Sequence, residues 1–268
     1  MRIFTHLLTK PPQHERHRFE MVFHDKMVEQ DTRLGNLYFE WGMTKAAIER
    51  AIMYLGNNLE GLWVVDYGCG RGRNMVRFID RGARVLAFDL SRRMAKSALE
   101  LVQTQGLVGK GFIQQMAGEQ LAYKDGSVDR IFGVSILHHL DWRAACSEIR
   151  RVLKPGGRAA FVEPLAHNPV VWFYRLLTPH KRSPLEQPLS FRDIRIMREM
   201  LPNLISEEYY LTAVLALPFG LIIRRRDLFL WLLSIFERLD SFLLGKLSWL
   251  RRLAWIVVLL WEKPECQG

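Results

Sequence analysis

The chain has 268 residues, 49% of them hydrophobic and 25% charged, enough to bury a full core in one large domain with additions and with no second enzyme needed to fill the length. Its formal net charge of +10 implies attraction to something anionic, and does not by itself choose among nucleic acid, an acidic membrane surface and a phosphorylated substrate. Three cysteines, Cys69, Cys146 and Cys266, are too few and too scattered for a disulfide framework or a zinc site and suit a reducing, cytoplasmic setting with no metal expected.

The opening MRIFTHLLTKPPQ is too short in its apolar part for a secretory signal. The longest uncharged apolar stretches, 211–223 and 253–261, fall short of the roughly 20 residues a spanning helix needs. Along the chain, Phe19, Val22, Phe23, Met27 and Val28 fit one side of a first helix. Tyr38, Phe39 and Trp41 form an aromatic cluster ahead of a second, capped by Thr44, with Ile48, Ala51, Ile52 and Leu55 on one face before Gly56.

Residues 62–89 organise the rest. Trp63, Val64 and Val65 have buried-strand character, and the run Asp66-Tyr67-Gly68-Cys69-Gly70-Arg71-Gly72 follows where that strand must turn into a helix. Met75, Val76, Phe78 and Ile79 recur at helical spacing up to Gly82, and 83–88 reads as a second strand ending on Asp89. Strand, glycine turn, helix, strand and acid make a nucleotide-binding half-unit. The glycines run G-x-G-x-G rather than the G-x-G-x-x-G of a dinucleotide fingerprint, which excludes a dinucleotide reductase.

This D-x-G-x-G-x-G pattern resembles motif I of the class I S-adenosylmethionine-dependent methyltransferases. The resemblance implies that Gly68, Gly70 and Gly72 give close approach to S-adenosylmethionine, that Asp66 orders the loop near its amino-acid moiety, and that Asp89 accepts from both ribose hydroxyls, with Leu90 beside it. After Asp89, Ser91 caps a helix carrying Met94, Ala95, Ala98, Leu99 and Val102, and 111–116 reads as a third strand. The segment EQLAYKDGSVD at 119–129 is similar to the family's stretch between its third and fourth strands. The family's adenine-binding acid is Ala117 here, which leaves the Gly118 N–H and Glu119 to meet the adenine edge.

The fourth strand spans 130–134, and Ser135 and the run LHHL (Leu137, His138, His139, Leu140) follow at its carboxyl end, where open α/β sheets place ligands. Ser135 joins the implied cofactor set. Asp141 caps a helix carrying Ala145, Ile149 and Val152, Lys154-Pro155-Gly156-Gly157 has turn chemistry, and 158–162 is a fifth strand ending on Glu163-Pro164. LHHL followed by EIRRVLKPGG and a strand is similar to the quinone- and lipid-acting, small-molecule branch of the family, and the resemblance covers about 61–164. It implies a Rossmann-like, seven-stranded, mostly parallel sheet with helices on both faces.

Beyond Pro164, residues 168–188 read as a loop or lid rich in proline and basic residues, among them Pro179, His180, Lys181, Arg182 and Pro184. Ser190 with Asp193 opens a helix bearing Ile194, Met197 and Leu201; a sixth strand is expected at 207–217 and a seventh at 254–261. Between them Arg224, Arg225 and Arg226 precede a hydrophobic helical insertion, with more apolar surface than one packed face needs and with Arg238, Lys246, Arg251 and Arg252 punctuating it. That surface fits a homodimer, an internal cap or an anionic membrane interface. The division read from sequence is an N-terminal helical extension or lid at 1–59, the cofactor-binding core at 60–165, and a C-terminal part at 166–268.

In-line methyl transfer depends chiefly on alignment in a dry pocket, and a general base is needed only for a hydroxyl or protonated amine acceptor. His138 is the leading candidate for that base, followed by His139, Glu163 and His167. The expected acceptor is a small or lipid-like molecule. A nucleic-acid substrate is disfavoured, because 135–138 is not the N-P-P-Y type and no aromatic-basic platform is apparent. The competing reading is a non-catalytic protein of the same fold that binds a membrane surface or a partner.

Overall fold

The computed structural model describes residues 12–29, 41–178, 182–223 and 225–265. Tyr38, Phe39, Pro179, His180, Lys181, Arg224 and Cys266 lie outside them, as do the side chains of Met27 and Val28. In chain order the elements are α1 (Gln13–Glu29), α2 (Lys45–Leu55), β1 (Trp63–Tyr67), α3 (Arg73–Ile79), β2 (Arg84–Asp89), α4 (Arg92–Thr104), β3 (Gly111–Gln115), β4 (Val128–Val134), α5 (Trp142–Val152) and β5 (Leu153–Pro164). They continue with α6 (Pro169–Leu177), α7 (Phe191–Met200), β6 (Ile205–Tyr209), α8 (Leu217–Ile222), α9 (Arg226–Lys246) and β7 (Ile256–Glu262).

The seven strands form one sheet in the order β3-β2-β1-β4-β5-β7-β6. The strands β1 to β5 pair in parallel, and β7 runs antiparallel to both β5 and β6. The order reverses between β1 and β4, so the loops leaving those two strands face each other across the switch point, where this architecture binds ligands.

Alternation along the central strands explains the layers. Val64, Phe132, Ala160 and Val258 face one hydrophobic cluster, which α2, α3 and α9 cover with residues such as Ile52, Phe78 and Phe229. Val65, Ile131, Phe161 and Leu259 face the other, covered by Ile149 of α5 and Met197 of α7. The helix α2, grouped from sequence with the N-terminal extension, thus contributes its buried Ala47, Ile48, Ala51, Ile52 and Leu55 to the sheet core.

Several expectations need correction. Thr44 stands before α2 without making a side-chain cap bond to it. The region expected to be a loop after β5 contains α6, because Asn168 accepts from the Val170 and Val171 N–H groups and Pro169 takes the first-turn position that lacks a donor requirement. The sixth strand ends at Tyr209; Tyr210 takes a left-handed φ of 63°, and the chain then turns into a 3-10 turn (Ala213–Ala216) and α8. In α1 the buried positions are Arg16 and Glu20, while Phe19 and Val22 are exposed. That helix is held by its polar stripe rather than its apolar one.

The capping boxes and acids read from sequence are present elsewhere. Ser91 accepts from the Met94 N–H, Asp141 from Arg143, and Ser190 forms a capping box with Asp193. Buried Asp240 of α9 accepts from the backbone N–H groups of Leu211, Thr212 and Ala213 and from the Thr212 hydroxyl, which fastens α9 to the turn after β6. Among the described residues no helix is long and apolar enough to cross a membrane.

Candidate active site

The glycine turn leaves β1 with φ of 70°, 52° and 81° at Gly68, Gly70 and Gly72, a left-handed run that only glycine adopts freely. Packing separates the three. A Cβ on Gly68 would lie 2.6 Å from Ile136 side-chain atoms, and one on Gly72 would lie 3.0 Å from the Ala98 Cβ, so side chains there would force those neighbours to shift. A Cβ on Gly70 would meet nothing within 4 Å. Gly70 therefore presents bare backbone to open space, as a ligand cradle requires.

Asp89, at the end of β2, faces this turn. One carboxylate oxygen accepts from the Gly70 N–H at 2.9 Å and the other from the Ser91 N–H at 2.8 Å. Burial raises its pKa, and those two N–H groups oppose the shift. The Cys69 N–H donates to the Phe88 carbonyl, tying the turn to β2. Leu90 is half-buried beside Asp89, and its carbonyl accepts from the Gln115 amide.

Asp66 lies beneath the turn, 2% exposed, and its Oδ2 has no hydrogen-bond partner. Burial pushes its carboxyl up to about 7; neighbouring Asp89 adds to the shift and the Met75 N–H opposes it. A buried carboxylate oxygen left unpaired costs stability unless a donor or cation arrives. It is the strongest sign that the cleft is built for something more.

Gly118 packs against Tyr67, whose hydroxyl donates to the Gly118 carbonyl, and a Cβ there would meet Tyr67 and Leu140 atoms at 2.7 and 2.8 Å. Glu119 is buried with both oxygens engaged: Oε1 accepts from the Asp141 N–H at 3.0 Å, and Oε2 lies 3.1 Å from Nε2 of His17 on α1. Ala117, where the resemblance calls for an acid, is half-buried.

At the end of β4, Ser135 is exposed with a left-handed φ of 53°, and its N–H donates to the Val162 carbonyl. The strain re-aims the chain so that the following turn (Leu137–His139) folds over the end of β5. There fully buried Glu163 accepts from the Ile136 and Leu137 N–H groups on Oε1, at 2.8 and 2.9 Å, and from His138 Nδ1 on Oε2 at 2.7 Å. Glu163 is thereby an orienting carboxylate and His138 a ring fixed in one tautomer, with Nε2 left as the proton acceptor. His167 is exposed and stacks on Phe191.

Helix α1 lies across this cleft. Besides His17 on Glu119, Asp25 accepts from the Ser91 hydroxyl, the Arg16 guanidinium donates to the His139 carbonyl, and Glu20 accepts from the Ser183 hydroxyl. Glu20 also lies 3.2 Å from His139 Nδ1. Burial and the neighbouring His138 push His139 down to about 3, whereas hydrogen bonds from His139, His24 and Ser183 outweigh burial and hold Glu20 below the usual carboxylate range. The sequence reading missed Arg16, Glu20 and His24. Their signal was Arg16, Glu20 and His24 recurring every four positions, a polar stripe at helical spacing.

Residues 65–161 match the family described as Methyltransferase domain. The Methyltransferase GfsG of Streptomyces halstedii is 32% identical over 123 residues, covering 45% of this chain and 42% of that protein. The Sterol 24-C-methyltransferase ERG6B of Gibberella zeae is 33% identical over 118 residues, covering 41% and 30%. The chain spans about two fifths of the length of the first curated relatives it matches. The fold is that of the geranyl diphosphate C-methyltransferase from Streptomyces coelicolor A3(2), with a TM-score of 0.60 at 18% identity over 82% of this chain and 78% of that one.

Proposed function

We propose that the protein transfers a methyl group from S-adenosylmethionine to a small acceptor with a lipid-like tail, and works at an anionic membrane surface. The observation that carries the reading is the meeting, at the carboxyl ends of β1, β2 and β4, of an open glycine cradle at Gly70, the unpaired Asp66 oxygen and a His138 ring oriented by Glu163. S-adenosylmethionine supplies a methyl group activated on a sulfonium. The residues that would hold it are Asp66, Gly68, Gly70, Gly72, Asp89, Leu90, Gly118 and Ser135. Asp66 offers an anion to a cationic amino-acid end, and Asp89 retains acceptor capacity for a vicinal diol. Glu119, with both oxygens committed, braces the cleft wall against α1.

The chain's own contribution is alignment and exclusion of water. Helix α1 acts as the lid, through His17 on Glu119 and Asp25 on Ser91. His138 removes the acceptor's proton at Nε2 where the acceptor is a hydroxyl or protonated amine, and Glu163 stabilises the imidazolium so formed.

Two observations support a lipid-like acceptor. A structure of the same fold is named for geranyl diphosphate, and a relative in sequence is named for a sterol. The exposed faces of α6, α8 and α9 carry Trp172, Phe173, Leu176, Ile222, Trp231, Ile235 and Phe242, with Arg225, Arg226, Arg238, Lys246, Arg251 and Arg252 interspersed. Exposed aromatics with flanking basic side chains are the composition of an interfacial surface.

Ala117 favours a second reading, a protein of this fold that binds without turnover. Calorimetry with S-adenosylmethionine and S-adenosylhomocysteine, followed by incubation of methyl-labelled cofactor with a total lipid and metabolite extract, separates the two. Binding with label transferred to an extractable molecule supports the enzyme. Binding without transfer favours the second reading, and absence of binding removes both the cofactor and the enzyme.

A further inference from the structure

Glu20, His24 and His139 converge from two separate parts of the chain. Glu20 and His24 are one helical turn apart on α1, and His139 lies 119 residues from Glu20, in the turn after β4. One ligand atom from each lies within 4.8 Å of the other two. Glu20 is 3% exposed and His139 11%, whereas His24 is 27% exposed and forms the outer edge.

The spacings admit a bridging ion. Charge-assisted N–H···O bonds to a buried carboxylate settle at about 2.7–2.9 Å. Glu20 Oε2 instead stands 3.2 Å from His139 Nδ1 and 3.5 Å from His24 Nε2. Bonds of about 2.0–2.1 Å to a tetrahedral ion place neighbouring donor atoms about 3.3 Å apart, between those two values. The Glu20 carboxylate is not loosely held, because its other oxygen accepts a short bond from the Ser183 hydroxyl.

We propose that Glu20, His24 and His139 bind a zinc-type divalent cation that pins α1 to the core beside the cofactor cleft. Two imidazoles and one carboxylate are a borderline-soft N2O set suited to such an ion, with a fourth position left for water or a small ligand. The carboxylate balances half the ion's charge, and each imidazole turns a lone pair inward with its proton on the opposite ring nitrogen. A second trio, His138, His139 and Glu186, also comes within ligand range. Its carboxylate is committed elsewhere: Glu186 pairs with Arg175 at 2.7 Å and lies 3.6 Å from Arg182. The ion therefore belongs to the trio that includes α1, and binding it couples the lid to the core.

The test uses the whole chain, stripped with chelator and titrated with cobalt(II) in the absence of S-adenosylmethionine. The expected result is one equivalent bound, with the intense visible absorption of a tetrahedral site, displacement by zinc, and a higher thermal midpoint. His24→Ala, at the exposed edge of the cluster, is expected to lose at least tenfold in affinity and the thermal gain together, whereas His14→Ala, exposed on α1, keeps both. Absence of saturable binding, or equal binding by wild type and His24→Ala, overturns the proposal. Because no cofactor is present, either result leaves the methyl-transfer reading to its own test.

Discussion

His138 and Glu163 form a buried pair, with Nδ1 2.7 Å from Oε2, and the same carboxylate holds the backbone of the turn that carries the histidine. One side chain thus fixes the position and the tautomer of the other. His138→Ala is expected to lower kcat by about 10²–10⁴-fold while leaving cofactor affinity within a few-fold, the range for loss of a general base. In Glu163→Gln the amide N–H₂ has to face either the Ile136 and Leu137 N–H groups or His138 Nδ1–H, so a loss of about 1–3 kcal/mol in stability accompanies a fall in kcat at near-constant KM. Urea unfolding and steady-state kinetics on both variants check this; full turnover by His138→Ala removes it as the base.

The parts of this site that could be read from the sequence are those set by local rules. Gly68, Gly70, Gly72 and Asp89 are legible because a strand-to-helix turn with left-handed backbone strongly favours glycine, and because the acid lies one strand away. The contacts of α1 were hidden because apolar periodicity favoured Phe19 and Val22 as its buried face. The helix instead docks through Arg16 and Glu20, whose partners His139 and Ser183 are more than 100 residues away. The role of Asp240 was masked likewise by the greasy residues around it.

The glycine turn yields a pair of variants with opposite expectations. Gly70→Ala places a methyl in open space at a φ of 52°, costing about 1–2 kcal/mol for the left-handed backbone, and is expected to weaken S-adenosylhomocysteine binding at least tenfold in a folded protein. Gly68→Ala pushes against Ile136 and is expected to lose more stability, part of it restored by adding Ile136→Ala. Calorimetry and thermal melts separate these outcomes. Unchanged binding by Gly70→Ala counts against a ligand in the cradle.

Asp240 predicts a purely structural effect. Asp240→Ala strands three backbone N–H groups and the Thr212 hydroxyl at the base of α9, so a loss of roughly 3 kcal/mol or more is expected. Hydrogen exchange should show protection lost first in α9 and the 211–213 turn. A loss spread evenly over the sheet contradicts the anchoring role.

The folded protein holds the Asp66 proton up to about pH 7, far above its unfolded value of 3.8, so between those limits the native state binds the extra proton. Stability from this group is fully present below about 3.8 and is lost as pH rises through about 7. Asp66→Asn, which cannot ionise, is expected to match wild type near pH 4 and to exceed it progressively up to pH 8 in the absence of ligand. Affinity for the cationic cofactor runs the other way, rising with pH through about 7 in wild type as the carboxylate forms, and flat in the variant. Denaturation and calorimetry across pH 5–8 measure both trends; a pH-independent difference in stability contradicts the assignment to Asp66.

Surface attachment is decided by the α6 and α9 faces. Trp172, Trp231 and Phe242 are 58%, 59% and 63% exposed, a large unburied aromatic area for a chain in water. If that area inserts among headgroups, the protein floats with vesicles containing anionic lipid and much less with neutral ones, because basic residues near such a surface contribute about 1 kcal/mol each. Charge reversal at Arg225 and Arg226 then weakens binding and steepens its loss with salt. Trp231→Ser with Phe242→Ser weakens it without altering the salt dependence, since only apolar burial is removed. Should the wild-type chain ignore anionic vesicles and sediment as a dimer that the same double serine variant splits, the apolar face belongs to a second copy of the chain.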